Sequence, residues 1–173
     1  MQALIVLAKK TVETYIKTGK IIKAEDNLIK EFSNKKAGVF ITIEKKGNLR
    51  GCIGTYLPTQ DNIIKEVIQN AISASTEDYR FGSIQKQELP FLSYTVSILE
   101  KPELIKNKKE LNPKEYGIIV KTIDYPLKSA LLLPDLEGID TTEKQISITC
   151  QKGGINPSKE KLIIYRFKVK KYE

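Results

Sequence analysis

Apolar residues along this chain recur at two spacings, and the switches between them mark out its elements. Leu4, Ala8, Val12, Tyr15 and Ile16 fall at helical spacing and predict a helix over 2–18, with Gly19 as its stop. Residues 20–36 are polar and irregular, with Leu28, Ile29 and Phe32 forming one docked turn. Val39, Ile41 and Ile43 then alternate with Phe40 and Thr42, the period of a strand. Lys45-Lys46-Gly47-Asn48 has turn chemistry and joins that strand to 49–55 as an antiparallel hairpin ended by Pro58. Ile63, Ile64, Val67, Ile68, Ala71 and Ile72 form one apolar face of a helix over 61–75.

The second half is read the same way. A strand is predicted over 91–99, followed by a Lys-rich loop closed by Asn112-Pro113. Two apolar runs, 117–123 and 129–133, flank a turn at 124–126. Asp140-Thr141-Thr142-Glu143 has the spacing of a capping box opening a helix, with Ile146 and Cys150 one turn apart and Gly153-Gly154 as the stop. A last strand turns Ile163, Tyr165, Phe167 and Val169 one way and Arg166, Lys168 and Lys170 the other. Helices interspersed among hairpin-connected strands predict an α+β fold with a largely antiparallel or mixed sheet and helices packed on it. At 173 residues this is one domain, or two small lobes, with room for a substantial core.

Composition removes more functions than it suggests. The chain has no histidine, so a Ser-His-Asp triad, a Cys-His dyad and a histidine metal site are impossible within it. Two cysteines cannot build a four-thiolate zinc or iron–sulfur site, and no carboxylate spacing suggests a metal. No apolar run reaches the roughly 18 residues of a membrane span. The run 3–8 is followed by Lys9-Lys10 and reads as the start of an amphipathic helix, not a signal peptide. Two cysteines without such a signal point to free thiols in the cytoplasm, with a Cys52–Cys150 bridge left open. The net charge is +8, but only three of 29 cationic residues are arginine and the lysines are scattered. Dispersed charge makes no stripe, so RNA binding is the third-ranked reading.

Candidate chemistry concentrates in Leu49-Arg50-Gly51-Cys52-Ile53-Gly54. Glycine weakens a strand and marks a bulge or a close approach to the backbone. On an ideal extended arm Arg50, Cys52 and Gly54 share a face. Arg50 there would favour the Cys52 thiolate, and Gly54 would leave ligand space beside it. The structural alternative makes Cys52 a small packed hydrophobe, the glycines packing devices and Arg50 the partner of a carboxylate. Without a histidine base, catalysis by Cys52 with Arg50 is the minority reading. Asp78-Tyr79-Arg80-Phe81 places a second arginine two residues from an acid, either a clamp for a polar ligand or an ion pair pinning the loop. Lys152-Gly153-Gly154 follows a helix and lacks P-loop spacing.

Gly38-Val39-Phe40-Ile41-Thr42-Ile43, the hexapeptide 49–54, Asp78-Tyr79-Arg80-Phe81, Leu131-Leu132-Leu133-Pro134 and Cys150-Gln151-Lys152-Gly153-Gly154 occur in that order. Over nearly its whole length the chain resembles the AMME-syndrome candidate protein family, called in prokaryotes AmmeMemoRadiSam system protein A. The resemblance implies a single domain of two intertwined, unequal α+β lobes. It marks Arg50, Gly51, Cys52, Gly54, Asp78 and Arg80 as signature positions. It also implies a Memo-like protein and a radical SAM protein as partners, and it brings no reaction or cofactor with it. Tyr79 stands where the family usually has proline, and 135–142 lacks the glutamine and tryptophan expected after the Leu-Leu-Leu-Pro run. The leading expectation is an accessory protein that binds a polar or anionic small molecule, or such a partner, through the 49–54 face. A Cys52-dependent enzyme of group transfer or redox chemistry is the alternative.

Overall fold

The computed structural model describes residues 2–173. In chain order its elements are α1 (Gln2–Thr18), α2 (Asp26–Phe32), β1 (Val39–Lys45), β2 (Asn48–Gly54), α3 (Ile63–Thr76), β3 (Leu92–Leu99), β4 (Glu103–Leu104), β5 (Gly117–Thr122), β6 (Ser129–Leu132), α4 (Thr142–Lys152), β7 (Leu162–Phe167) and β8 (Val169–Tyr172). The fold is α+β. Two compact units divide it, one of residues 2–99 with Lys170–Glu173, the other of Glu100–Val169.

In the first unit the strands lie in the order β2-β1-β3-β8, with β1 antiparallel to both β2 and β3. The alternation read from the sequence is met: Val39, Ile41 and Ile43 are wholly buried while their neighbours are half-buried. They pack with Leu4, Leu7 and Val12 of α1 and Val67 and Ala71 of α3 in one core. Each leucine, isoleucine or valine side chain so buried contributes about 1.5–3 kcal/mol. The β1–β2 turn is the tight two-residue kind: Lys46 and Gly47 both have positive φ (52° and 80°), which matches the twist of the strands they join.

The second unit orders its strands β4-β7-β5-β6, all antiparallel. Ile118 and Val120 of β5 and Ile164 of β7 pack with Ile146 and Cys150 of α4.

Four elements differ from expectation. The docked turn is a short helix, α2, which buries Leu28 and Phe32 but leaves Ile29 43% exposed. The α4 cap is Thr141, not Asp140: Thr141 is extended and its hydroxyl accepts the Lys144 N–H at 3.2 Å. Two adjacent residues with capping side chains cannot be ranked by spacing. The Lys-rich loop contains β4 and a 3-10 turn at Lys108–Glu110, and another 3-10 turn, Lys86–Phe91, precedes β3. Finally, the last strand is two strands, broken at Lys168, with β7 and β8 in different sheets. Alternation reports which way side chains point, not which neighbour a strand joins.

Candidate functional site

The hexapeptide forms most of β2, the outermost strand of its sheet, with one side open. Its ladder with β1 runs Phe40↔Gly54, Ile41↔Ile53, Thr42↔Cys52 and Ile43↔Gly51, then shifts to Glu44↔Leu49. Arg50 is the extra residue of a β-bulge and has no ladder partner. Bulges re-aim a side chain, and this one breaks the alternation that would have grouped Arg50 with Cys52 and Gly54.

Arg50 is directed to the segment before β3. Its Nε and Nη2 donate to Glu88 Oε1 and Oε2 at 3.0 and 2.9 Å, its Nη1 to the Gly82 carbonyl at 3.0 Å, and Nη2 again to the Ser83 carbonyl at 3.3 Å. Both charged side chains are largely buried, 14% and 12% exposed. Glu88 also accepts from Lys45 Nζ (2.9 Å) and the Gln85 N–H (2.9 Å). The Arg50 guanidinium foremost, then Lys45, holds the Glu88 carboxyl at about 2 against the opposing effect of burial. Arg50 is thus the staple between β2 and the 82–88 segment.

The glycines of β2 serve close packing. A Cβ on Gly51 would overlap the carbonyl oxygen of Ala74 in α3. One on Gly54 would overlap Phe40 and the Val39 carbonyl, so the space expected beside Gly54 is filled by the Phe40 ring. Cys52 is a half-buried free thiol whose Sγ lies 3.4 Å from the Thr42 hydroxyl; Cys150, in the other unit, is also free and buried, which pushes its thiol up.

Asp78 and Arg80 complete the edge of β2. Asp78 Oδ2 accepts the Cys52 N–H at 2.9 Å, and Arg80 Nη2 donates to the Cys52 carbonyl at 3.3 Å. Two side chains therefore satisfy the outward N–H and carbonyl of Cys52, which a further strand would otherwise seek. The pair is also bidentate: Arg80 Nε and Nη2 reach Asp78 Oδ1 and Oδ2 at 2.9 and 2.7 Å. Asp78 is 4% exposed. The Arg80 guanidinium, aided by the Cys52 amide, holds its carboxyl at about 2 although burial works the other way. The loop carried on this clamp is open to solvent. Arg80 is 44% exposed at its side chain and lies 5.1 Å over the Phe81 ring; Tyr79 is 94% exposed and Phe81 37%.

Sequence reasoning overlooked the fully buried Glu66 of α3. It has no cationic partner in its hydrogen-bond set and is held by neutral donors. Its Oε1 accepts the hydroxyls of Thr55 (2.5 Å) and Thr59 (2.8 Å), and its Oε2 accepts the N–H groups of Thr59 and Gln60 (both 2.8 Å). Burial pulls the carboxyl upward, but the Thr55 hydroxyl and the other donors outweigh it and leave it below the ordinary range. Asn70, one turn on, donates to the Val39 carbonyl at 2.9 Å. The legible signal is Glu66 and Asn70 lying within the Ile63–Val67 stripe instead of opposite it. Nothing in Lys86-Gln87-Glu88-Leu89 marks Glu88 as the counterion of Arg50.

Among the described residues no group of three or more acidic or thiol side chains is placed to hold a metal, and no helix is long and apolar enough to cross a membrane. Lysines pair locally, as in Lys10–Glu25, Lys65–Asp61 and Lys168–Glu115.

A protein of Thermotoga maritima is 42% identical to the chain over 167 residues, which cover 96% of this chain and 94% of that one. A protein of Clostridium acetobutylicum is 40% identical over 96% of the chain, yet the match spans only 35% of that longer protein. The crystal structure of an uncharacterised protein from Pyrococcus horikoshii superposes with a TM-score of 0.86 at 31% identity, covering 97% of this chain and 88% of that one. A sequence model of the AMMECR1 family matches residues 5–172, nearly the full length. The chain belongs to the AMMECR1 family.

Proposed function

We propose that this chain is an accessory protein that docks a partner through the Tyr79-Arg80-Phe81 loop and the adjoining edge of β2. The observation that carries the reading is the pairing of exposure with fixation. Tyr79 is 94% exposed, yet the residues on either side of it are locked to each other and to the Cys52 backbone. Tyrosine and arginine are the residues that most often dominate binding energy at protein interfaces. A loop already ordered in the free protein loses little conformational entropy on docking. The partner class is the one implied by resemblance, a Memo-like protein or a radical SAM protein. The clostridial relative, in which the matching region forms about a third of the chain, supports a unit that works beside other domains.

The committed donors argue against the other readings. An anionic small molecule or a Cys52 thiolate would draw on Arg50, whose guanidinium already serves Glu88, Gly82 and Ser83. Titration calorimetry of the chain with a Memo-like and with a radical SAM protein tests the proposal. Tyr79→Ala is expected to weaken the complex by about 2 kcal/mol, or roughly thirtyfold, with unchanged thermal stability. Binding by Tyr79→Ala as tight as wild type, or no binding by either partner, overturns it.

A further inference from the structure

In the second unit β7 is paired by β4 along only part of its length. β4 pairs with β7 over only Glu103↔Arg166 and Leu104↔Tyr165, and the Ile105 N–H to the Ile164 carbonyl (3.1 Å) is the last bond of that side. An antiparallel ladder would next set residue 107 against Leu162. Asn107 turns away instead. Its N–H donates to Glu110 Oε1 at 2.8 Å, its carbonyl accepts the Glu110 N–H at 3.0 Å, and its side chain accepts the Lys109 N–H at 2.9 Å.

Among the described residues Leu162 has no backbone bond to compensate on its other side. The Lys161 carbonyl accepts the Ile123 N–H from the β5 side, whereas the Ile164 carbonyl serves β4. Backbone groups alternate along a strand, so those of Leu162 point with Ile164, toward the side β4 has left. They open onto a groove of about 270 Å³ lined by Leu104, Ile105, Lys106, Lys108, Leu162 and Ile164. Leu104 is 59% exposed there.

The charged side chains that line this groove, Lys106 and Lys108, are both positive, with the Glu110 carboxylate beside them. Lys106 and Lys108 are exposed, and neither has an ion-pair partner among the described residues. The nearby Glu110 carboxylate is engaged by the N–H groups of Lys106 and Asn107. Glu103, farther along β4, faces Arg166. Lysine at a free edge is a common defence against self-pairing. A second copy of this chain would bring Lys106, Lys108 and Lys161 against like charges.

We infer that this groove takes an extended, acidic segment of a partner protein, added as a short strand on the free edge of β7. The segment's backbone completes the ladder at the N–H and carbonyl of Leu162, and its carboxylates meet Lys106 and Lys108. Backbone pairing supplies the affinity, and the lysines the choice of sequence. This surface is separate from the Tyr79 loop and does not depend on the function proposed for it.

The probe is a short peptide alternating valine and glutamate, titrated into the full chain and followed by amide NMR. Shifts are expected at Leu162, Ile163, Lys106 and Lys108, with exchange of the Leu162 amide slowed at least about tenfold at saturation. A fully N-methylated analogue and a valine–lysine analogue should each bind at least about tenfold more weakly. The surface variant Lys106→Glu/Lys108→Glu should reverse the preference between the glutamate and lysine peptides. An unchanged Leu162 amide, equal binding of the N-methylated peptide, or a footprint elsewhere overturns the inference.

Discussion

Replacing Glu88 by glutamine keeps its shape and removes its charge, and the structure sets the size of the effect. A carboxyl held at about 2 instead of 4.5 is stabilised in its charged form by about 3 kcal/mol, at roughly 1.4 kcal/mol per pH unit. Because the folded value lies below the unfolded one, this stabilisation is complete above about pH 4.5 and is lost as pH falls toward 2. Glu88→Gln should therefore be less stable than wild type by about 2–3 kcal/mol at pH 7, since its amide keeps part of the bonding to Arg50. The difference should shrink steadily below pH 4.5 and nearly vanish near pH 2. Urea unfolding of both proteins across that range, with m-values compared, measures it. A deficit below about 1 kcal/mol, the size of an exposed ion pair, or one that does not change with pH, would refute the staple role given to Arg50 and Glu88.

Gly51→Ala forces a methyl against the Ala74 carbonyl of α3, a backbone atom with little freedom to yield. It should destabilise by about 1–3 kcal/mol, and a denaturant midpoint equal to wild type would show that β2 and α3 are not so tightly apposed. Glu66→Gln turns an amide NH2 toward donors that now point at a carboxylate. Unfolding should become easier by about 1–3 kcal/mol, and the Thr59 and Gln60 amides should exchange faster. Unchanged exchange at those two amides would contradict the role of Glu66 in holding that segment.

Local chemistry was legible where a pattern alone decides the outcome. The β1 alternation, the apolar face of α3 and the Lys46-Gly47 turn each follow from periodicity or backbone preference, and each stands where expected. The partners of Arg50 were not legible, because a bulge of one residue redirects the side chain and no pattern in 49–54 announces it. Asp78 and Arg80 were visible as a pair. Their grip on the Cys52 backbone was not, since it depends on β2 being an edge strand. The β7–β8 break escaped for a related reason: strand membership in a sheet is a long-range property that one continuous alternation does not carry.

Hydrogen exchange on the chain alone and with a bound Memo-like or radical SAM protein reads out docking through the Tyr79 loop residue by residue. A footprint over Tyr79, Arg80 and Phe81 is expected, with exchange there slowed at least about tenfold in the complex. A complex that leaves those amides unchanged and protects a different surface would contradict it.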